Sequence, residues 1–332
     1  MTRRITAVGC VAAAVAASFV ITGCTPDLPT PKAATEVTLP ALDEAQSTAV
    51  ITAVSETLAT ADEDKAAKKL SDRVTGPALD MRKAEYKIAK SQKKDDSISE
   101  LPAGMQSVFM TTSTAWPRTI FAVSDRPQNL EVERFMVYTQ DTPQDPYKLW
   151  GWFPLFPGLT VPAFPTLEEG TTEISELDES LSVMPKDVLD DYMALLKSAS
   201  KKNKEKFDLE KDEFYKEISD RRKYLKDAAK QIEGSYKETF KVGDEWRALR
   251  TLDGGAVLVS TFETVGTLKG ETGAIVSPSA IEKAFLDGKT AKNALSVTRT
   301  AVVGFYIPPK GSEEKPRAIG RLLRTTDASI PK

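Results

Sequence analysis

The sequence predicts an α+β protein in two domains, each with helices packed on a curved antiparallel sheet, behind an export signal and a proline-rich stalk. Three observations carry this. In each half helical periodicity comes first and strand-like runs follow, which is not the alternation of a parallel sheet. An acidic stretch over 168–182 separates the halves. The N-terminal segment has the charge and apolar pattern of an export signal. The length of 332 residues suits about two domains at ~150 residues each.

Composition excludes several chemistries. Hydrophobic residues are 41% and charged residues 28%, so a packed core is expected. Lys+Arg is 45 against 48 Asp+Glu, net −3, and no basic excess points to nucleic acid. The chain has no histidine, which removes Ser-His-Asp and Cys-His catalysis and imidazole metal sites. Its two cysteines, Cys10 and Cys24, both lie near the start. No thiol nucleophile or Cys-based zinc site is expected in the body of the chain. Cofactors and metals are not expected.

Arg3 and Arg4 precede an apolar or small stretch over 5–20, which ends at Ile21-Thr22-Gly23-Cys24. That order of aliphatic, small, Gly and Cys resembles the lipobox of bacterial lipoproteins. The resemblance implies that 1–23 is cleaved as a signal peptide and that the Cys24 sulfur carries a diacylglycerol. Cys24 is then the lipidated first residue, and two acyl chains anchor stably where one does not. Cleavage would remove two basic residues and no acidic one, taking the net charge from −3 to −5. Residues 24–41 contain Pro26, Pro29, Pro31 and Pro40 and read as an extended stalk.

In the first domain, 42–167, Val50, Val54 and Leu58 recur at helical spacing behind Asp43 and Glu44. A second helix is expected after Gly76-Pro77, with proline in its first turn. Residues 93–100 are polar and read as a loop. Strands are expected over 119–124, 131–139 and 148–156.

The second domain, 183–332, repeats the order. Val188, Tyr192, Leu195 and Leu196 mark one helix, and Phe214, Ile218, Leu225, Ala229 and Ile232 mark a longer one. Mostly strand follows from Ser235. Leu252-Asp253-Gly254-Gly255 between apolar runs signals a hairpin. A short helix is expected after Ser277-Pro278-Ser279, then strands over 295–307 and 317–326.

A helix-then-curved-sheet order in each half resembles the cystatin-like cone of the nuclear transport factor 2-like superfamily, here in tandem. The aromatic run Trp150-Gly151-Trp152-Phe153-Pro154-Leu155-Phe156-Pro157, together with the lipobox, resembles actinobacterial membrane-anchored lipoproteins of unknown function. That resemblance implies an extracytoplasmic, membrane-anchored protein and brings no catalytic residues.

On a strand Trp150 and Trp152 share one face, and aromatic strands are usually buried. The loop after them carries Pro154, Pro157, Pro162 and Pro165, which supply no backbone donors. Its apolar residues Leu155, Phe156, Leu159 and Phe164 are the expected ligand- or partner-binding residues, some of them accessible.

Other motifs yield no chemistry. Gly288-Lys289-Thr290 lacks the upstream glycine of a phosphate loop, since Lys283 stands there. Ser91/Lys94 and Ser198/Lys201 match Ser-x-x-Lys but have no companion Lys-Thr-Gly. Asp62-Glu63-Asp64 and Asp95-Asp96 lack the rest of a calcium loop. The lysine run over 197–206 reads as a solvated face. Glu131, Glu133, Glu245 and Glu263 lie on or beside expected strands, where a carboxylate pair would have to stand.

The expected function is a lipid-anchored, extracytoplasmic binding or scaffolding protein of the bacterial cell envelope, without a catalytic set. Its partners would be the membrane, through the anchor, and an envelope protein or apolar ligand. The alternative is a carboxylate-dependent hydrolase acting on cell-wall material.

Overall fold

The structure, a computed structural model, describes residues 38–127 and 131–331. The expected signal peptide, Cys24 and the stalk up to residue 37 lie outside the described residues. Among the described residues no helix is long and apolar enough to cross a membrane.

Helix α1 (Glu44–Asp64) starts at a capping box. The Asp43 carboxylate accepts from Gln46 N at 2.7 Å, and the Gln46 side chain accepts from Asp43 N at 3.0 Å. Three- and four-residue steps bury Ser47, Ile51, Val54, Leu58 and Ala61. A 3₁₀ turn, Ala67–Leu70, leads to α2 (Gly76–Gln92), with Pro77 in the first turn. Then come β1 (Met105–Met110), β2 (Arg118–Ser124), β3 (Arg134–Gln140) and β4 (Lys148–Pro154), an antiparallel sheet in chain order. Strand β1 adds to the three strands the sequence predicts.

The second half has α3 (Pro185–Lys197), a single turn α4 (Lys201–Lys204) and α5 (Glu213–Gln231). Strands β5 (Ser235–Arg250) and β6 (Ala256–Lys269), the turn α6 (Ala280–Lys283), β7 (Ala294–Ile307) and β8 (Arg317–Ser329) follow. These four strands form a second antiparallel sheet, again in chain order. The chain is therefore α+β with two sheet-based halves, as the sequence predicts. The hairpin at Asp253-Gly254 is present. Gly254 takes φ +84°, and Asp253 accepts from Thr251 Oγ1 at 2.6 Å and Gly255 N at 3.0 Å.

The inner strands of each sheet carry buried side chains on both faces, while β5 is mostly exposed or half-buried. In the second sheet Val257, Val259, Val302 and Tyr306 join the core of the first half. Leu258, Phe262, Val303 and Phe305 pack instead with Val188, Tyr192, Phe214 and Ile218 of α3 and α5. The Tyr192 ring meets Phe305 at 4.8 Å and Phe262 at 5.6 Å. Burial on both faces matches the apolar runs at 256–259 of β6 and 301–307 of β7.

In the first sheet Phe135 and Phe153 are register partners stacked at 5.1 Å. Phe153 rests on Gly304 and Gly320, themselves partners across β7 and β8. A Cβ on Gly320 would stand 2.6 Å from the Phe153 ring and one on Gly304 closer still, so glycine at both positions lets the sheets meet.

Residues 38–332 form one compact unit. The acidic segment 168–182 lies between the halves and is packed on both. Thr171 bridges Thr111, Glu173 bridges Leu249 and Leu181 bridges Pro309, while Ile174 and Leu181 are buried.

The two tryptophans are buried as expected, but they meet different partners. A bulge opposite Val137 and Tyr138 takes Trp150 out of register. Its indole N–H donates to Glu245 of β5 at 3.0 Å, with the Arg247 guanidinium 5.0 Å from the ring centre. Trp152 stays in register opposite Met136 and lies under Arg82 of α2, at 5.3 Å.

The apolar residues after β4 are less accessible than the sequence predicts. Leu155, Phe156 and Phe164 are buried, and Leu159 is half-buried between the cores of the two halves. The reason lies in the residues between the prolines. Leu155 and Phe156 keep their N–H groups. Leu155 donates to Glu133 O and bridges Gly320, and Phe156 N donates to Ile319 O at 2.9 Å. Phe164 stacks on Phe109 at 4.2 Å.

Candidate functional site

Where β4 runs out against β8, a cleft of about 360 Å³ opens beside a buried charge network. The network begins on α2, whose four-residue turn brings Arg82, Glu85 and Tyr86 together. Arg82 and Glu85 are fully buried. Arg82 Nη1 donates to Glu85 Oε2 and to Ser99 O, both at 2.9 Å, and its Nε lies 3.4 Å from Asp62 of α1. Tyr86 OH donates to the same Asp62 oxygen at 2.5 Å. Glu85 Oε1 accepts from Ser99 Oγ at 2.5 Å and from Arg324 Nε of β8 at 3.2 Å. Arg324 Nη2 closes the ring on Ser99 Oγ at 3.1 Å.

Burial raises Asp62 above the ordinary carboxylate value, opposed by the Arg82 charge. Tyr86 is also raised, first by burial and then by its bond to Asp62. Two arginines sharing one buried glutamate satisfy the rule that buried charges are paired.

The cleft in front of this network is lined by Trp152, Leu155, Phe156 and Leu322, with Arg134, Arg321 and Arg324 as cations and Glu131 and Glu213 as acids. Arg134 is nearly saturated. Its Nη1 donates to Val132 O at 2.9 Å, its Nε to Glu100 O at 3.4 Å, and it pairs with Glu131. Arg321 Nη2 pairs with Glu217 at 2.5 Å. Two donors on the lining side chains have no partner: the indole N–H of fully buried Trp152, and Arg321 Nε. Native interiors rarely leave such groups unsatisfied. Both atoms are closed off from solvent behind the cleft, whose open wall is apolar.

Two other hollows differ in their lining. An open groove of about 970 Å³ runs between the start of α1, 103–108 and 166–168. A smaller one of about 280 Å³ touches Leu159 and Asp212. Neither is lined by a buried side-chain donor or acceptor lacking a partner, among the described residues. Asp212 is nonetheless unusual. Burial pushes it up to about 6. Its carboxylate caps α5, accepting from Tyr215 N at 2.8 Å and Tyr192 OH at 2.7 Å, so both oxygens are occupied.

Of the expected binding residues, Leu155 and Phe156 line the cleft, Leu159 lines the 280 Å³ hollow and Phe164 is interior. The four strand carboxylates do not converge. Glu131 pairs with Arg134 at the cleft, Glu245 holds Trp150 and Arg247, Glu263 is exposed on β6 and Glu133 is half-buried beside β3. Sequence reasoning missed Arg82, Glu85 and Arg324.

No curated protein and no solved structure matches the chain. A family model does. Residues 38–329 match the domain of unknown function DUF8094, over both sheets and the cleft between them, and the chain belongs to that family.

Proposed function

We propose that this chain is a non-enzymatic, lipid-anchored binding protein at the outer face of a bacterial cytoplasmic membrane, of the actinobacterial lipoprotein type. The Trp152–Arg324 cleft is its binding site. The observation that carries the binding reading is the cleft of about 360 Å³, with Leu155, Phe156 and Leu322 as an apolar wall and partly exposed Arg324 beside it. The order Ile21-Thr22-Gly23-Cys24 supports the anchor, and Pro26, Pro29, Pro31 and Pro40 support a stalk that holds the folded part off the bilayer. Helices followed by a four-stranded antiparallel meander in each half support a tandem cystatin-like architecture. Thermal-shift screening of the full chain against lipids, peptidoglycan fragments and glycans tests the reading. At least one class should raise the Tm of the wild type and not that of Arg324→Gln. Stabilisation that is identical in the variant would remove the cleft from the proposal.

A further inference from the structure

The outer strands of the two sheets differ in how their free edges are protected. Leu149 of β4 donates to Arg73 O and accepts from Thr75 N. Strand β5 bridges Glu173 and carries Lys237, Lys241 and Asp244. Strand β8 holds Leu155 and Phe156 and carries Arg317, Arg321, Arg324 and Asp327. Strand β1 has no charged residue and no proline, the usual devices that blunt an edge. Its bulge lies at its start, between Met105 and Ser107, and at its far end Met110 O accepts from Thr171 N. Thr111 N donates to Thr119 O, so alternation along the ladder turns Ser107 and Phe109 to β2 and the Val108 amide and carbonyl outward. Val108 lines the open groove of about 970 Å³.

The groove has a definite charge. Asp43, Glu44 and Glu168 line it, and no lysine or arginine does among the described residues. Asp43 caps α1, whereas the exposed side chains of Glu44 and Glu168 have no partner among the described residues. Ile51, Leu167 and Leu39, the last 71% exposed, supply apolar surface. We infer that β1 is a docking edge for an extended segment of a protein partner that carries lysine or arginine among apolar side chains. The segment adds as a fifth strand and exchanges main-chain hydrogen bonds with Val108, while its cations meet Glu44 and Glu168. The open stretch over 105–109 spans about 17 Å at ~3.4 Å per residue, room for about five residues of the partner. An acidic segment, an anionic lipid or an anionic glycan would set its charge against three carboxylates. The edge shares no lining residue with the Trp152–Arg324 cleft, so the two sites stand or fall separately.

The test uses the full chain in phosphatidylcholine vesicles and the fluorescence anisotropy of labelled five-residue peptides. One alternates lysine and valine, one alternates glutamate and valine, and one is the lysine peptide methylated at every backbone nitrogen. The lysine peptide should bind saturably, and the glutamate peptide at least about tenfold more weakly. The methylated peptide keeps every charge and loses its main-chain donors, and should bind about tenfold more weakly. Val108→Pro deletes the outward N–H and leaves the bonds to β2, and should weaken the lysine peptide about tenfold. Glu44→Gln with Glu168→Gln, both at exposed positions, should weaken it about fivefold and decides the matter should Val108→Pro fail to fold. Equal binding of the glutamate or the methylated peptide would overturn the proposal, as would no binding at all. Binding indifferent to the variants would place the peptide elsewhere and overturn it too. A doubled mass by light scattering in detergent, without peptide and lost in Val108→Pro, would put a second copy of the chain on the edge instead of a cationic partner.

Discussion

The ring of Phe153 fills the space that a side chain on Gly304 would need. Gly320 leaves the same ring free on its other strand, and Phe135 stacks on it within the first sheet. This contact joins the halves through shape alone. Phe153→Ala should cost ~3–5 kcal/mol and Gly304→Ala ~1–3 kcal/mol, the first by leaving a cavity and the second by overpacking. In urea both should move one cooperative transition, read alike by tryptophan fluorescence and circular dichroism. Separate transitions for the two halves would show that the sheets do not share a core.

Breaking the charge network from one side should be worse than removing it. Glu85→Ala leaves fully buried Arg82 without its closest carboxylate, and should cost ~3–5 kcal/mol. Replacing Arg82 with Met and Glu85 with Leu together should cost much less. Urea midpoints of the single and double variants provide the measurement. A double variant as unstable as the single would mean the network itself is needed for the fold.

Asp212 gives a pH dependence of definite sign. Its carboxyl is raised from 3.8 to about 6 in the fold, so the folded state holds the proton more tightly than the unfolded state does. Its contribution is fully present below about pH 4, declines as pH rises to about 6, and is flat beyond. Asn keeps an oxygen for the Tyr215 N–H but does not titrate. The stability of wild type relative to Asp212→Asn should fall by at most about 3 kcal/mol between pH 4 and pH 7, at 1.36 kcal/mol per unit. A pH-independent difference would place the Asp212 proton elsewhere.

The proposed anchor has a direct test at Cys24. Expressed in a bacterium competent for lipoprotein processing, the wild type should carry acyl mass on Cys24 and partition with membranes in detergent. Cys24→Ala should lose both. An unmodified wild type, or a variant with the same modification, would end the lipoprotein reading.

Much of the architecture was legible because local chemistry enforces it. Gly76-Pro77 opens α2 and Asp253-Gly254 turns the hairpin, each by a backbone preference of its own residues. Strand β1 was not, since Met105–Met110 is half-buried and carries Gln106 and Ser107, so it shows neither alternation nor an apolar run. The cleft was less legible still. Arg82 and Glu85 look like the solvated side of a charged helix, and what places them inside is Arg324, 239 positions after Glu85. The loop after β4 misled through its prolines. They bracket Leu155 and Phe156, whose own amides make the bonds that bury them.

The Leu155–Gly320 bridge and the Phe156 bond to Ile319 have a consequence for how the chain comes into being. They tie the exit of the first sheet to β8, which is far from it in sequence. Until β8 is delivered, Phe153 has no Gly320 to lie on and Glu85 lacks its second arginine. Contacts so distant in sequence close slowly, because the loop entropy is spent before they form. The cleft is complete only once β8 is in place, and a copy truncated before β8 would lack Arg321, Leu322 and Arg324 from its lining.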